Sequence, residues 1–339
     1  MLWSAVTVAV LLVVFVGVFP NVADYSQVWS LIHQLPTAFV VALVVATVAN
    51  IAAYVWPLRA ALPGLGYGAA FVVGQTGFAV SNAAPAGGAV GLGVQYGMLS
   101  SYGFGAGAAS AVAIVGVFNI LATLVMPVIG VVALSATGGA TRSDLLIAAL
   151  GVLAIGVAVG AFTAVLRSES GARTVGRWAD RLVNPLLRRL RRARSVDLTA
   201  RFVEFRSDVV GALQARWVQL ILSSLLLQFT SWAILFLALR GLQGDAVTVT
   251  WTEALAAFSL ARVVSIIPIT PGGLGTVDGA LVALLTGFGA TSSQALAADL
   301  VWRAAAYVPQ VLLGAFTFLW WRVTAQRRRQ RVNRRSSNG

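Results

Sequence analysis

At 339 residues, 58% hydrophobic and only 10% charged, with a mean hydropathy of +0.85, this chain lies outside the range of soluble globular domains, where charged residues make up roughly a quarter. Its net charge of +13 does not mark a nucleic-acid binder, because the charge sits beside apolar runs and no RNA- or DNA-binding module fits the polar segments. The chain has no cysteine, which excludes disulfides and thiolate metal sites, and its single histidine, His33, reads as a solvated loop side chain rather than a ligand.

The first apolar run, 2–19, is closed by Pro20-Asn21; no basic residue precedes it, so it reads as an uncleaved span rather than a signal peptide. Residues 24–34 predict a short loop. A second span covers 35–56 and closes on an aromatic and a cation, Trp56 and Arg59, as membrane interfaces favour. Residues 65–99 are apolar and glycine-rich, but broken between Asn82 and Gly88, which predicts two half-length helices. A long span follows at 106–134, with Pro127 near its end, then a polar turn at 137–144. The span at 145–166 carries Gly156-x-x-x-Gly160, a spacing that permits close helix contact.

The segment from Arg167 to Arg216 holds twelve arginines and five acids. Its Trp178, Leu182, Leu186 and Leu190 recur at helical spacing, so a basic amphipathic helix on the cytoplasmic leaflet and a plain solvated connector both fit. Residues 217–239 span again, and 240–250 form a polar loop with Asp245. A second broken segment covers 251–285, and the last span, 295–321, leads into an arginine tail that reads as disordered.

The second break is the most informative stretch. Pro268, Pro271, Gly272, Gly273 and Gly275 interrupt a run that also carries Arg262 and Asp278. Proline removes a backbone donor and glycine opens left-handed backbone, so no helix passes through intact. In hydrocarbon such a break is tolerated only where protein or a watery cavity receives the freed polar groups. An ordinary loop between two short helices is the plain alternative, and recurrence weighs against it. Val80-Ser81 through Pro85, Gly87 and Gly88 resembles Val264-Ser265 through Pro271, Gly272 and Gly273. Downstream, Gly103-Phe104-Gly105, Pro127 and Gly130 parallel Gly287-Phe288-Gly289, Pro309 and Gly314.

If both broken segments are re-entrant hairpins, six full spans remain, and placing the basic loop in the cytoplasm puts both termini there too. The expected fold is therefore an all-α polytopic membrane protein, an inverted repeat of two four-element halves with six spans and two re-entrant broken-helix hairpins. The first half would occupy 1–134 and the second 135–321, interrupted by the cytoplasmic loop 167–216 and followed by the basic tail 322–339. The bacterial or archaeal cytoplasmic membrane is the expected location, with anionic lipid headgroups facing the loop and the tail.

Arg262, Asp278, Asp299 and Arg303 fall at membrane depth, where each charge costs roughly 2.5–3.5 kcal/mol unless it faces a cavity or a partner. Asp299 and Arg303 stand four apart on one helical face, which Tyr307 continues, and Asp278 sits where a half-helix restarts. A purely structural ion pair and a substrate site both fit these charges. The repeat leaves Val117, Leu121 and Val125 opposite the charged face, so Gln75, Asn82 and Gln95 are the polar groups of the first half.

The run from Pro268 to Asp278, followed by Arg303, Tyr307, Pro309 and Gly314, resembles the lysylphosphatidylglycerol synthase transmembrane, or flippase-like, family, which includes the membrane half of multiple-peptide-resistance factors. The resemblance extends over nearly the whole chain. It implies movement of a lipid between leaflets, an aminoacylated phospholipid or a polyprenyl-linked lipid, with roles for Asp278 and Arg303. No aminoacyl-transferase domain follows the last span, so synthase activity is not expected, and the first break lacks the acid and arginine of many relatives.

The expected substrate-binding set is Arg262, Pro271, Gly272, Gly273, Gly275, Asp278, Asp299, Arg303 and Tyr307, with Asn82, Pro85, Gly87, Gly88 and Gln95 from the first half. No catalytic residue, metal or cofactor is expected; a homodimer is allowed. An ion-coupled transporter of a small anion would use the same architecture. An intramembrane lipid-modifying enzyme and a non-transporting partner of another envelope protein are further alternatives.

Overall fold

The structure is a computed structural model that describes residues 25–83, 87–105, 107–137, 198–244, 248–266 and 270–336, with isolated helical positions between 153 and 160. The predicted spans at 2–19 and 145–166, the basic loop before residue 198, and Pro85, Asp245 and Pro268 lie outside the described residues. The described elements are all helical: α1 (Tyr25–His33), α2 (Thr37–Ala53), α3 (Trp56–Ala61), α4 (Tyr67–Ala83), α5 (Gly87–Ser101) and α6 (Gly107–Ala136). Then come α7 (Leu198–Gln243), α8 (Trp251–Val264), a short 3-10 turn at Pro271–Gly273, α9 (Thr276–Gly287), α10 (Ser292–Ala306) and α11 (Val308–Ser336).

Among the described residues, four helical stretches are long and apolar enough to cross a membrane: Thr37–Ala61, Gly107–Ala136, Ala215–Gln243 and Ser292–Thr324. They coincide with four of the six predicted spans. Polarity is distributed as a bilayer demands. On α2, Val40, Val41, Val44, Val45 and Val48 point outward, while Asn50, Gln75, Gln228 and Gln310 are buried. Inside, polar side chains tie helices together. Gln310 Nε2 donates to Asn50 Oδ1 at 2.9 Å, Asn50 Nδ2 to Thr230 Oγ1 at 2.8 Å, and Gln228 Nε2 to Thr123 Oγ1 at 2.9 Å.

Three expectations are corrected. Residues 25–33 form a helix rather than a loop, because Val28, Leu31 and Ile32, three and four apart, pack into the core cluster that includes α10 residues. The last span is interrupted at Tyr307, where Pro309 removes a backbone donor just inside α11. The arginine tail, predicted to be disordered, continues α11 through Ser336.

Both predicted breaks appear. α4 and α5 form an antiparallel pair: the Gly77 surface lies under Gln95, Gly91 meets Ser81, and Gly87 sits against the Ser81 carbonyl, where a Cβ would come within 2.3 Å. α8 and α9 pack together across the Pro271–Gly273 turn.

Two glycines mark close contacts between helices distant in the chain. Gly130 of α6 packs on α8, where an added Cβ would lie 2.9 Å from Ser259 Oγ and 3.0 Å from Ala256 Cα; Gly314 of α11 packs on α4, where it would lie 2.2 Å from the Gln75 carbonyl oxygen. Gly130 and Gly314 stand 184 residues apart, as do their contacts Gln75 and Ser259. Forcing a branched side chain between packed helices costs about 1–3 kcal/mol or more. Gly314→Val should therefore lower the thermal unfolding temperature in detergent, and Gly130→Val should do so too. Gly97→Ala, at a position with open space around it, should leave it unchanged within experimental scatter.

Candidate functional site

The site is built on the second break. Gly272, Gly273 and Gly275 have φ of +63°, +68° and +82°, a left-handed path that side chains strain to follow. The path turns the Gly272 and Gly273 carbonyls toward Arg303, whose Nη1 donates to Gly272 O at 3.0 Å and Nη2 to Gly273 O at 3.4 Å. Arg303 Nε donates to Asp278 Oδ1 at 2.5 Å, and the Gly275 N–H donates to Asp278 Oδ2 at 2.6 Å. Asp278 thus caps the start of α9, as its place in the sequence predicts, and holds the arginine at the same time. The guanidinium also lies 4.4 Å from the Tyr307 ring centroid and 4.9 Å from that of Trp302.

Sequence spacing paired Arg303 with Asp299, four residues earlier on the same face. In the structure the ion pair goes to Asp278, because α9 brings that carboxylate end-on to the guanidinium while the loop carbonyls take its remaining donors. Asp299 is fully buried beside Asp278, and neither of its oxygens meets an N–H or O–H donor.

Arg262 stands apart. Its Nη1 donates to Tyr307 Oη at 3.0 Å, and its buried Nε has no acceptor. Among the described residues no carboxylate pairs with it. It is half-buried, whereas Arg303 is 8% exposed. A run of ring contacts from Tyr54 through Phe78, Tyr307 and Trp302 to Phe258 frames the arginines, with centroids 5.4–5.7 Å apart.

Among the described residues of the first break, Asn82 reaches this place. Asn82 Oδ1 lies 3.1 Å from where a Gly272 Cβ would be, and its Nδ2 donates to Phe78 O at 2.8 Å. Gly87 packs against the Ser81 carbonyl and Gly88 is exposed, while Gln95 lies in the α4–α5 seam over Gly77; none of the three joins the charged group. Pro85 lies outside the described residues. An apolar cleft of ≈ 500 Å³ between α1 and α10, lined by Val28, Trp29, Ile32, Leu300, Val301 and Ala304, lies on a different flank of α10 from Asp299 and Arg303.

Sequence reasoning missed the carbonyls of Gly272 and Gly273 as arginine acceptors, and the Arg262–Tyr307 bond. The consecutive glycines signal the first, since their carbonyls are the least shielded acceptors near a buried cation. Nothing in the sequence signals the second, which joins residues 45 apart.

The glycine loop, its acid and the distant arginine are therefore one physical unit, which explains why they occur together in the motif. Residues 2–314 match the family described as "Lysylphosphatidylglycerol synthase TM region". The chain belongs to that family of lipid-related membrane proteins. No curated protein and no solved structure matches it significantly. Several apolar helices and this membership make it a multi-pass membrane protein.

Removing one partner of a buried ion pair costs about 3–5 kcal/mol, because the other charge is left uncompensated. Arg303→Ala and Asp278→Ala should each lower the unfolding temperature sharply. Arg303→Lys should not restore it, since one ammonium cannot span a carboxylate and two carbonyls as the guanidinium fork does. Arg322→Ala, at an exposed helix position, should change stability by less than about 0.5 kcal/mol.

Proposed function

We propose that this protein moves a lipid with an anionic headgroup between the two leaflets, with the headgroup passing Arg262 while the apolar tails stay in lipid. The observation that carries the reading is the contrast between the two arginines. Every nitrogen of Arg303 is engaged by the loop and Asp278, so it positions the break. Arg262 is half-buried, tethered by one hydrogen bond and free of any described carboxylate, so it is the cation with capacity for a phosphate.

The broken segments support a passage at this point. α4, α5, α8 and α9, with 17, 15, 14 and 12 residues, reach about 26, 23, 21 and 18 Å at 1.5 Å per residue, less than the ~30 Å hydrocarbon core. Read as two re-entrant hairpins entering from opposite faces, they meet at Asn82 and Gly272, and the exchanged glycine contacts fit an inverted repeat. The arginines of 167–216 and of the tail favour a cytoplasmic side for both and contact there with anionic lipids. Transport rather than catalysis is favoured because both Asp278 oxygens are already occupied.

The test is dithionite protection of fluorescent phosphatidylglycerol in proteoliposomes. A charge-assisted hydrogen bond contributes about 1.5–3 kcal/mol, so Arg262→Gln should slow lipid exchange about tenfold or more while the protein stays folded. Wild-type rates equal to those of empty vesicles would overturn the proposal. Uptake of radiolabelled free phosphate without lipid exchange would move the assignment to a small-anion transporter.

A further inference from the structure

Two carboxyl groups share one guanidinium at the heart of the site. Each nitrogen of Arg303 gives one hydrogen bond, to Asp278 Oδ1, Gly272 O and Gly273 O, and Asp278 Oδ2 takes the Gly275 N–H. No donor reaches Asp299, which is 0% exposed, has both oxygens unserved, and abuts the Asp278 carboxyl. An ionised carboxylate in that position would be unpaired at membrane depth and would face a second carboxylate. A carboxylic acid there instead donates its O–H to Asp278 and leaves one negative charge for Arg303.

The other groups that face the pair are few. Arg262 comes from α8, Tyr307 from the junction of α10 and α11, and Tyr54 from the end of α2 near both. α7 presents Ser231 to Trp302 and carries no ionisable side chain between residues 217 and 239. From α9 only Asp278 is ionisable, and His33 of α1 is exposed beside Trp29.

We infer that Asp278 and Asp299 form a proton-binding site whose occupancy is linked to an anion at Arg262. With one proton shared between the acids, the two arginines and two aspartates sum to one positive charge, which suits a bound phosphate. With that proton lost to water the four groups are neutral and the attraction disappears. Proton and anion therefore bind together and leave together; the only bond made or broken is the O–H of the acid, and water is the proton's source and sink. By linkage, the anion must then favour proton uptake as much as the proton favours the anion. The inference rests on the assignment of the anion to Arg262.

The experiment is isothermal titration of the full chain, in an uncharged detergent and at a pH above that at which the unliganded protein shows a protonated acid, with short-chain phosphatidylglycerol in buffers of equal pH and different ionisation heats. Wild type should take up about one proton per lipid bound and Asp299→Asn none, the reciprocal signature of a single linked site. Phosphatidylglycerol binding without proton uptake, or uptake unchanged in Asp299→Asn, overturns the linkage while leaving the lipid assignment standing.

Infrared spectroscopy of the unliganded protein supplies the second arm. As the pH is lowered, a carbonyl stretch of a buried protonated acid should appear in wild type and not in Asp299→Asn. Its absence from wild type, or persistence in the variant, overturns the proton site. Its loss in the variant together with no lipid binding keeps the proton site and removes the lipid reading. Asparagine matches the protonated acid in shape, so Asp299→Asn should unfold within a few degrees of wild type. A drop as large as that of Asp278→Ala would show that Asp299 is an ionised partner and contradict the shared proton.

Discussion

The structure depends on how one positive charge is kept inside a bilayer. Arg303 cannot ionise cheaply among apolar helices, and it is not left to a single counter-ion: a carboxylate takes Nε, two backbone carbonyls take the terminal nitrogens, and two aromatic rings cover the faces. That arrangement needs carbonyls pointing inward from a loop, which needs left-handed backbone, which needs glycine at 272, 273 and 275. It also needs an acid three residues beyond Gly275, where the N-cap of α9 can share it. The interruption of the helix and the burial of the charge are thus the same fact.

A break held this firmly can serve as a fixed point for what surrounds it. Arg262 lies just before the interruption on α8, Tyr307 lies at the interruption between α10 and α11, and the bond between them joins two places where helices end. Asn82, at the end of α4, touches Gly272 from the other side. Helix ends leave carbonyls and amides without intrahelical partners, so their convergence collects polar groups at membrane depth without placing them in the hydrophobic shell. The valines on the outside of α2 and the buried amides within show the same economy across the whole chain.

The sequence made the four described spans, both interruptions and the membrane setting legible, because each rests on local chemistry: runs of apolar residues, prolines, consecutive glycines. It also showed Asp278 as a capping acid, since that role depends only on neighbours three residues away. It left the partner of Arg303 open between Asp299 and Asp278. Helical spacing brings Asp299 to the same face, but only the tertiary path of the loop decides that Asp278 arrives end-on. Residues 25–33 read as a loop because Asp24, Ser26 and Gln27 outweighed the short apolar stripe of Val28, Leu31 and Ile32, whose value appears only once α10 is there to receive it. The repeated spacing of glycines hinted at duplication, and it took coordinates to show that Gly130 packs on Ser259 and Gly314 on Gln75.

The most direct measurement of the central idea, that Arg262 faces an aqueous space at membrane depth which an anionic headgroup can occupy, uses the absence of native cysteine. Ser265, half-buried one residue beyond α8, bonds to the Arg262 carbonyl at 2.6 Å and can be replaced by cysteine without disturbing either arginine. Cysteine at 265 should react with a charged, water-soluble thiosulfonate, and short-chain phosphatidylglycerol should slow that reaction, whereas cysteine at the fully buried Ser259 should not react. Silence at position 265, or labelling that the lipid does not slow, would contradict it.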